Sequence, residues 1–192
     1  MAQSFITTIA FLTLTVGAAE HHILFPNQEL VLGQTLVSQN QVFEIGFFSP
    51  GKSLKRFLGI WYKCTPDVVV WVANRNHPIS PSEAPVLMIS RNTNLVIISG
   101  KSIIWLANSS RVASNPVLQI LDSGNLVLVD NMSTTQGYAW QSFDYPTDTM
   151  LPGMMMVDDN DSDVEKYMMS WTSPDDPSPG DFVYKIQKPG LG

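Results

Sequence analysis

Short apolar runs, separated by turn-forming residues, recur along most of the chain. From Val42 to Phe48, apolar positions alternate with small or polar ones, as they do in a half-buried strand. Runs such as Val86–Ser90 and Leu95–Ser99 are bounded by Asn, Ser, Thr and Gly, which favour tight turns. We identify no convincing helical pattern after residue 19. The pattern therefore predicts an all-β, antiparallel protein.

A tryptophan-containing motif recurs, so that the sequence contains three copies of it. It reads Val70-Trp71-Val72-Ala73-Asn74, then Ile104-Trp105-Leu106-Ala107-Asn108, and more loosely Ala139-Trp140-Gln141-Ser142-Phe143. The tryptophans are 34 and 35 residues apart, and a fixed period of this size indicates copies of one supersecondary unit. Small sheets cannot each bury a face alone, so we expect three of them to pack on a common axis. Trp71, Trp105 and Trp140 are predicted to fill that centre as structural core rather than to stack on a ligand.

One strand pair is predicted in detail. Phe57–Lys63 and Val68–Ala73 are β-rich runs, and the four residues between them predict a hairpin loop. Cys64, in that loop, is the single cysteine of the chain and cannot form an intrachain disulfide. A buried, inert thiol is the favoured interpretation, with a free thiol or an intermolecular bridge as alternatives.

Charge and length limit the partners and the architecture. The chain has 192 residues, which suits one well-buried domain plus an appendage. Its formal net charge is −6, and its 11 Lys and Arg residues are scattered. Nucleic-acid affinity depends on clustered cations, so we expect no nucleic-acid partner and favour neutral or cationic ones.

The N-terminal segment has the composition of an export signal. Residues 1–19 contain no Asp, Glu, Lys or Arg, and an apolar stretch from Phe5 to Val16 is followed by Gly17-Ala18-Ala19. This predicts a secretory signal peptide, the alternative being a buried N-terminal helix or strand. No later run reaches the ~20 apolar residues of a membrane helix. We therefore expect a soluble, secreted product, glycosylated at the three sequons that begin at Asn108, Asn131 and Asn160.

Metal and catalytic chemistry find little support. The acidic run 158–163 begins like an EF-hand loop, but Asp163 and Met169 stand where that loop requires Gly and Glu. The three histidines, His21, His22 and His77, suggest no triad or zinc set. We predict no metal, no cofactor and no catalytic residue.

Several longer motifs occur together in a specific order. They are Phe47-Phe48-Ser49-Pro50-Gly51, Leu58-Gly59-Ile60-Trp61-Tyr62, Val70-Trp71-Val72-Ala73-Asn74-Arg75, the segment from Leu121 to Leu128, and the segment from Trp140 to Thr149. From about residue 25 onward, the chain resembles the bulb-type (mannose-specific) lectin domain of plant S-locus (G-type lectin) receptor-like serine/threonine kinases. The resemblance implies a β-prism of three pseudo-symmetric antiparallel sheets.

The end of the chain resembles a different part of those receptors. Trp171 to Phe182 is similar to the opening of the S-locus glycoprotein region. We therefore predict a lectin domain over residues 20–150 and, over 151–192, the start of that region as a short irregular or β extension. The kinase signatures G-x-G-x-x-G, His-Arg-Asp and Asp-Phe-Gly do not occur, so we expect no enzyme but a truncated ectodomain or a natural short relative.

The resemblance also implies sugar sites, which in bulb lectins follow the strand motif Q-x-D-x-N-x-V-x-Y. Alternate positions are used because every second side chain of a strand points the same way. The third copy keeps only Asn125 and Val127, and the first retains only Ile60 and Tyr62. The second copy is the best remnant, with Ser90, Asn92, Asn94 and Val96 at motif positions. A structural interpretation is equally simple, because Asn94 and Asn125 each end a predicted tight turn, where Asn tolerates positive φ and bonds its own backbone.

Two functions therefore remain open for an extracellular recognition domain of this kind. The first is recognition of a mannose-type glycan by residual sites, best on the second copy. The second is a protein-interaction module, used for homo- or heterodimerisation with related receptors or for capture of a protein or peptide ligand, as a soluble modulator of a full-length receptor. An apolar strand face where the sugar motif should be polar would favour the second.

Overall fold

The computed structural model describes residues 20–107, 109, 111–132, 137–156 and 166–186. The predicted signal peptide, the acidic run 158–163, Asn108 and Asn160 lie outside these residues. The strands are β1 Glu20–His21, β2 Ile23–Leu24, β3 Glu29–Val31, β4 Thr35–Val37, β5 Phe43–Phe48, β6 Phe57–Tyr62, β7 Thr65–Val72, β8 Pro85–Ile89, β9 Leu95–Ser99, β10 Ser102–Leu106, β11 Pro116–Ile120, β12 Leu126–Asp130, β13 Trp140–Gln141, β14 Tyr167–Ser173 and β15 Asp176–Lys185, with a 3-10 turn at Ser142–Asp144.

These strands form three sheets around one core, with β14 and β15 as a separate hairpin. The first sheet has the order β1-β4-β5-β6-β7, the second β10-β9-β8-β3 and the third β13-β12-β11-β2. All pairings are antiparallel apart from β1 with β4. The described residues contain no α-helix. The all-β, three-sheet prediction is confirmed.

The register shows how the three copies correspond. Trp71 lies opposite Ile60, Trp105 opposite Ile97 and Trp140 opposite Leu128. Ile60, Ile97 and Leu128 are each 0% exposed, so each copy turns the same face of its strand toward the core. Because side chains alternate along a strand, the preceding residues Gly59, Val96 and Val127 lie on the outer faces of their sheets.

The three repeated tryptophans meet in the centre. Their ring centroids are 6.2 Å (Trp71 to Trp105), 6.1 Å (Trp71 to Trp140) and 5.8 Å (Trp105 to Trp140) apart, all edge-to-face. Such pairs contribute about 0.5–1.5 kcal/mol each beyond their buried area. Trp71 also donates its indole N–H to the carbonyl of Tyr145 at 2.8 Å. The tryptophans of the recurring motif thus form the central axis on which the three sheets pack.

The asparagine that ends the first copy of the tryptophan motif has a structural role. Asn74 is 1% exposed, accepts the Leu58 N–H at 2.8 Å and donates to the His77 carbonyl at 2.8 Å. In the third copy, Ser142 has the corresponding role, because its hydroxyl oxygen accepts the Leu126 N–H at 2.9 Å. A polar side chain just past the tryptophan therefore completes the backbone bonding at the start of the neighbouring strand.

The predicted loop between β6 and β7 is wrong in length. Tyr62 pairs with Thr65, so two residues, Lys63 and Cys64, form the turn, and β7 contains Pro66. Proline usually argues against a strand, but β7 is at the edge of its sheet, where the missing N–H breaks no ladder. Cys64 is exposed, so the buried-thiol interpretation is also wrong.

The hairpin of β14 and β15 is attached to the first sheet by a buried arginine. Arg75, 8% exposed, donates to the carbonyls of Pro177 at 2.5 Å, Met169 at 3.0 Å and Ser170 at 2.8 Å. Burial lowers the pKa of this guanidinium, and the Asp148 carboxylate opposes that shift to a lesser extent. The predicted boundary at residue 150 stays a prediction.

Candidate functional site

The candidate sugar positions of the second copy lie at the start of β9. The Thr93 and Asn94 N–H groups donate to the carbonyl and hydroxyl of Ser90 at 2.9 and 3.2 Å, which closes a tight turn. Asn92 is exposed and Asn94 is half-exposed, so their amides are open to solvent. The positive φ, 60°, falls on Thr93 and not on Asn94. The polar end of the motif is therefore accessible here.

The apolar end of the same motif is not accessible. Val96 is 2% exposed, with Met88 and Leu106 directly opposite it on the neighbouring strands. The residues that share this outer face are almost all apolar. They are Glu29, Val31, Val86, Met88, Val96, Ile98, Ile103 and Leu106. Ile103 and Leu106 are 63% and 44% exposed, so this second-sheet face is an apolar surface where a sugar motif would be polar.

In the third copy, the predicted sugar ligand is used inside the protein. Asn125 is 4% exposed, and its amide donates to Gln141 at 2.9 Å. Its amide oxygen accepts from the Ser142 hydroxyl at 3.2 Å and the Phe143 N–H at 3.3 Å. Val127 is 0% exposed, so neither retained motif residue faces solvent. Asn125 neither bonds its own backbone through its amide nor has positive φ, which instead occurs at Gly124 (84°).

In the first copy, the sequence alignment is displaced by one residue. Tyr62 pairs with Phe43, their rings are 4.6 Å apart, and both lie on the core side of the sheet. Since a one-residue shift moves a side chain to the other face, Tyr62 is on the opposite side from Val96 and Val127. The corresponding outward residues of β6 are Gly59 and Trp61, and the prediction for Tyr62 is corrected accordingly.

The outer face of the first sheet is filled by the chain's own aromatic rings. Gly46 and Gly59 pair across β5 and β6, and a Cβ added at Gly59 would lie 2.5 Å from a ring carbon of Phe48. Trp61 covers Gly46 and donates its indole N–H to Glu44 at 2.9 Å. The ring of Trp171, from the hairpin, lies 6.4 Å from that of Phe48. This layer was not predicted, although two facing glycines beside aromatic residues signal a close approach.

A cavity of about 470 Å³ lies where the tryptophan axis meets the hairpin. Its floor is formed by Trp71, Trp105 and Trp140, and its walls include Tyr145, Leu106 and Met169. The ring of Tyr145 stacks on Trp140 with centroids 5.7 Å apart. The tryptophans were predicted as core alone, because their meeting at an open end depends on the tertiary packing. We call this space the axial cavity.

An ion pair lies at the edge of the axial cavity. Lys166 contacts the Asp144 carboxylate at 3.1 Å, and the side chain of Gln141 donates to the same carboxylate at 3.1 Å. The Asp144 side chain is 45% exposed and that of Lys166 is 15% exposed. Of this pair, the carboxylate is therefore the more exposed charge.

The remaining predicted positions are the three glycosylation sites. Asn131 is exposed at the end of β12 and its backbone N–H donates to the Asn115 carbonyl at 2.9 Å, which leaves its side chain on the surface. Asn108 and Asn160 are outside the described residues. Across the described part of the chain, no three His, Cys, Asp or Glu side chains are grouped as metal ligands, and no helix is long and apolar enough to cross a membrane.

Comparison with known proteins identifies the family. The profile of the D-mannose binding lectin family matches residues 68–172. A G-type lectin S-receptor-like serine/threonine-protein kinase of Arabidopsis thaliana is 43% identical over 91% of this chain, and the match spans 21% of that kinase. The S-locus-specific glycoprotein BS29-2 of Brassica oleracea var. alboglabra is 40% identical over 96% of this chain and 43% of its own length. The chain thus spans less than half the length of these relatives.

One solved lectin structure has a similar fold. The Japanese Marasmius oreades lectin matches 65% of this chain and 94% of its own, with a TM-score of 0.50 and 13% identity. A monomeric monocot mannose-binding lectin from Gastrodia elata matches 63% of this chain with a TM-score of 0.47 and 21% identity. The kinase motifs named above do not occur in this sequence. The chain belongs to the D-mannose binding lectin family, as a lectin domain like that of S-locus receptor-like kinases and S-locus glycoproteins.

Proposed function

We propose that this lectin domain acts outside the cell as a recognition module for protein or peptide ligands. The observation that carries the proposal is the state of the three outer faces, where the mannose motif would lie. The first is covered by aromatic rings, the second is apolar, and the third has its asparagine bonded internally. The aromatic rings block access to the first face, the second face offers an apolar surface in place of polar groups, and the asparagine of the third is not available to a sugar.

Magnitudes support this interpretation. A millimolar monosaccharide site is worth about −4.1 kcal/mol, and each hydrogen bond contributes about 0.5–1.5 kcal/mol net. Freeing the amide of Asn125 for a sugar would break three internal hydrogen bonds, so its new bonds would only replace old ones. The third copy therefore gains almost nothing from its retained asparagine.

A second candidate function is weak glycan binding on the second copy. It is favoured by the exposure of Asn92 and the half-exposure of Asn94, and by the name of the matched family, D-mannose binding lectin. Against it stands the burial of Val96, since the motif's valine has to touch the sugar ring.

Secretion, glycosylation and dimerisation are part of the same proposal. The apolar stretch in residues 1–19 and the exposed Asn131 support an exported glycoprotein. The apolar second-sheet face supports a homo- or heterodimer with related receptors as one form of protein recognition. Sedimentation of the secreted chain, alone and mixed with a related ectodomain, measures the dimer directly.

The test of function is a glycan array of the plant-secreted chain, together with titration by methyl α-D-mannoside followed through backbone amide NMR signals. We expect no saturable binding on the array and no shift at Asn92 or Asn94. The variants Asn94→Ala and Asn115→Ala serve as site and surface controls. Mannoside binding that Asn94→Ala abolishes and Asn115→Ala retains would overturn the proposal and establish the second-copy sugar site.

A further inference from the structure

We propose that the axial cavity is a binding site for a peptide segment that presents one large apolar side chain next to a cationic residue. This inference rests on the proposed function and names the partner class. Neither the mannose motif nor the family match assigns a role to this space. Its volume, about 470 Å³, falls within the range of about 300–1,000 Å³ in which proteins bind small ligands.

The walls of the cavity favour an apolar anchor. They are mostly apolar, with the tryptophan floor continued by the ring of Tyr145 and by Leu106 and Met169. Tyr145 is 48% exposed, so part of this lining faces water in the free protein. An inserted aromatic or aliphatic side chain would remove that surface from water and would find edge and face contacts on the rings.

Two polar side chains of the lining are already engaged within the protein. Arg75 lines the cavity, but its guanidinium bonds the hairpin carbonyls. The hydroxyl of Thr147 donates to Asp148 at 3.0 Å. A hexose would have to pair its hydroxyl groups with the remaining polar lining, such as Asn76 and His77, and each hydroxyl left unpaired carries a desolvation penalty. A peptide side chain brings no such groups into the cavity.

Two donors remain for the backbone of a peptide. The Trp71 indole N–H is satisfied by the Tyr145 carbonyl, whereas the indole N–H groups of Trp105 and Trp140 make no hydrogen bond within the described residues. A peptide carbonyl is a strong acceptor, and indole N–H groups usually find a partner when a ligand buries them.

The charge at the edge of the axial cavity favours one kind of residue next to the apolar side chain of the ligand. Asp144 is the more exposed member of the Asp144–Lys166 pair, and the whole chain carries a formal charge of −6. A Lys or Arg beside the anchor would meet this carboxylate, while an acidic residue would be repelled. The preferred ligand is therefore cationic next to its apolar side chain.

The experiment follows the indole N–H NMR signals of the five tryptophans during titration with acetyl-Lys-Phe-Lys-amide. We expect saturable shifts of the Trp105 and Trp140 signals, with Trp61 as an internal reference because it lies on the outer face of the first sheet. Acetyl-Lys-Ala-Lys-amide, which lacks the anchor, should bind at least about tenfold more weakly. Acetyl-Glu-Phe-Glu-amide should bind about two- to fivefold more weakly, as expected for an exposed charge.

Matched variants separate the cavity from the rest of the surface. Tyr145→Ala removes a wall and should weaken binding of the Phe peptide at least about fivefold. Tyr184→Ala removes a similarly exposed tyrosine of β15 outside the cavity and should leave binding unchanged. Asp144→Asn should abolish the preference for the cationic over the anionic peptide. An unshifted Trp61 signal in each variant shows that the first sheet remains folded.

Two results would overturn the inference. One is equal binding, or no binding, of the Phe and Ala peptides to the folded chain. The other is a saturable shift of Trp105 and Trp140 by methyl α-D-mannoside at lower concentration than by the Phe peptide, which would make the cavity a sugar site. Failure of the proposed function is distinguishable, because it appears as mannoside shifts at Asn92 and Asn94 and leaves the indole signals unchanged.

Discussion

Replacing Asn125 by alanine separates a structural role from a sugar-binding role. Asn125 and Asn94 are at equivalent positions, each just before the first core leucine of its strand. The Asn125 side chain is buried and makes three hydrogen bonds, one to Gln141 of β13 and two to the 3-10 turn. Within the described residues, the hydrogen bonds of Asn94 come from its backbone. The two substitutions therefore remove the same atoms from opposite environments.

The size of the effect follows from those bonds. Each lost hydrogen bond costs about 0.5–1.5 kcal/mol, and a buried group left without a partner costs about 1–3 kcal/mol. In Asn125→Ala, the buried Phe143 N–H loses its acceptor, while the partly exposed side chain of Gln141 can form a hydrogen bond with water instead. We expect a loss of about 2–4 kcal/mol in the free energy of unfolding. Asn94→Ala, at a half-exposed site, should change it by less than about 0.5 kcal/mol.

The assay is urea unfolding of both variants, followed by tryptophan fluorescence and by circular dichroism. Coincident transitions from the two probes justify a two-state treatment, and the midpoint shift at constant slope gives the stability change. Equal, small effects of Asn125→Ala and Asn94→Ala would refute the reasoning, because they would mean that the Asn125 amide is not needed inside the protein.

Four further outcomes are expected. Gly59→Ala should destabilise the fold by about 1–3 kcal/mol in thermal unfolding, because its Cβ would meet the ring of Phe48 at 2.5 Å; an unchanged midpoint would contradict the aromatic layer. Arg75→Met should increase hydrogen exchange of residues 167–185 more than that of β9, since the hairpin loses three donor contacts; uniform exchange would argue against this attachment. Hydrogen bonds from Asn40 and Ser38 lower the pKa of Asp122 below its ordinary 3.8, so its contribution to stability is present above that value and lost as the pH falls through the lowered pKa. Thermal midpoints from pH 7 to 2.5 should therefore fall at the acid end, less steeply in Asp122→Asn, and a parallel profile would contradict the contribution. Cys64 should react fully with a thiol reagent in the folded protein, and protection until unfolding would contradict its exposure at the turn.

Much of the fold was predictable because its signals are local. The two-residue alternation and the turn residues identified strands, and the tryptophan spacing identified three copies. The loop between β6 and β7 was mispredicted because Pro66 gives the same local signal in a turn and at a sheet edge. Only the pairing of neighbouring strands distinguishes these two cases.

The candidate site was less predictable, since a sugar position depends on which face a residue occupies and on what covers it. Tyr62 was placed with the sugar motif because the motif was aligned one residue out of step, and only the strand pairing shows that Ile60 and Tyr62 lie on the core side. Asn125 looked like a retained ligand because its partners, Gln141 to Phe143, come from a strand that pairs only in the folded sheet.

The sequence by itself determined the all-β class, the threefold repeat, the tryptophan at the centre of each copy and the family, because these depend on periodicity and on residue identity. The tertiary structure decided the availability of each motif position and the existence of the axial cavity. Both depend on contacts between residues far apart in the chain, such as Trp171 with Phe48 and Arg75 with the hairpin. Such contacts are made by packing, and packing fixes which side chains remain open to a ligand.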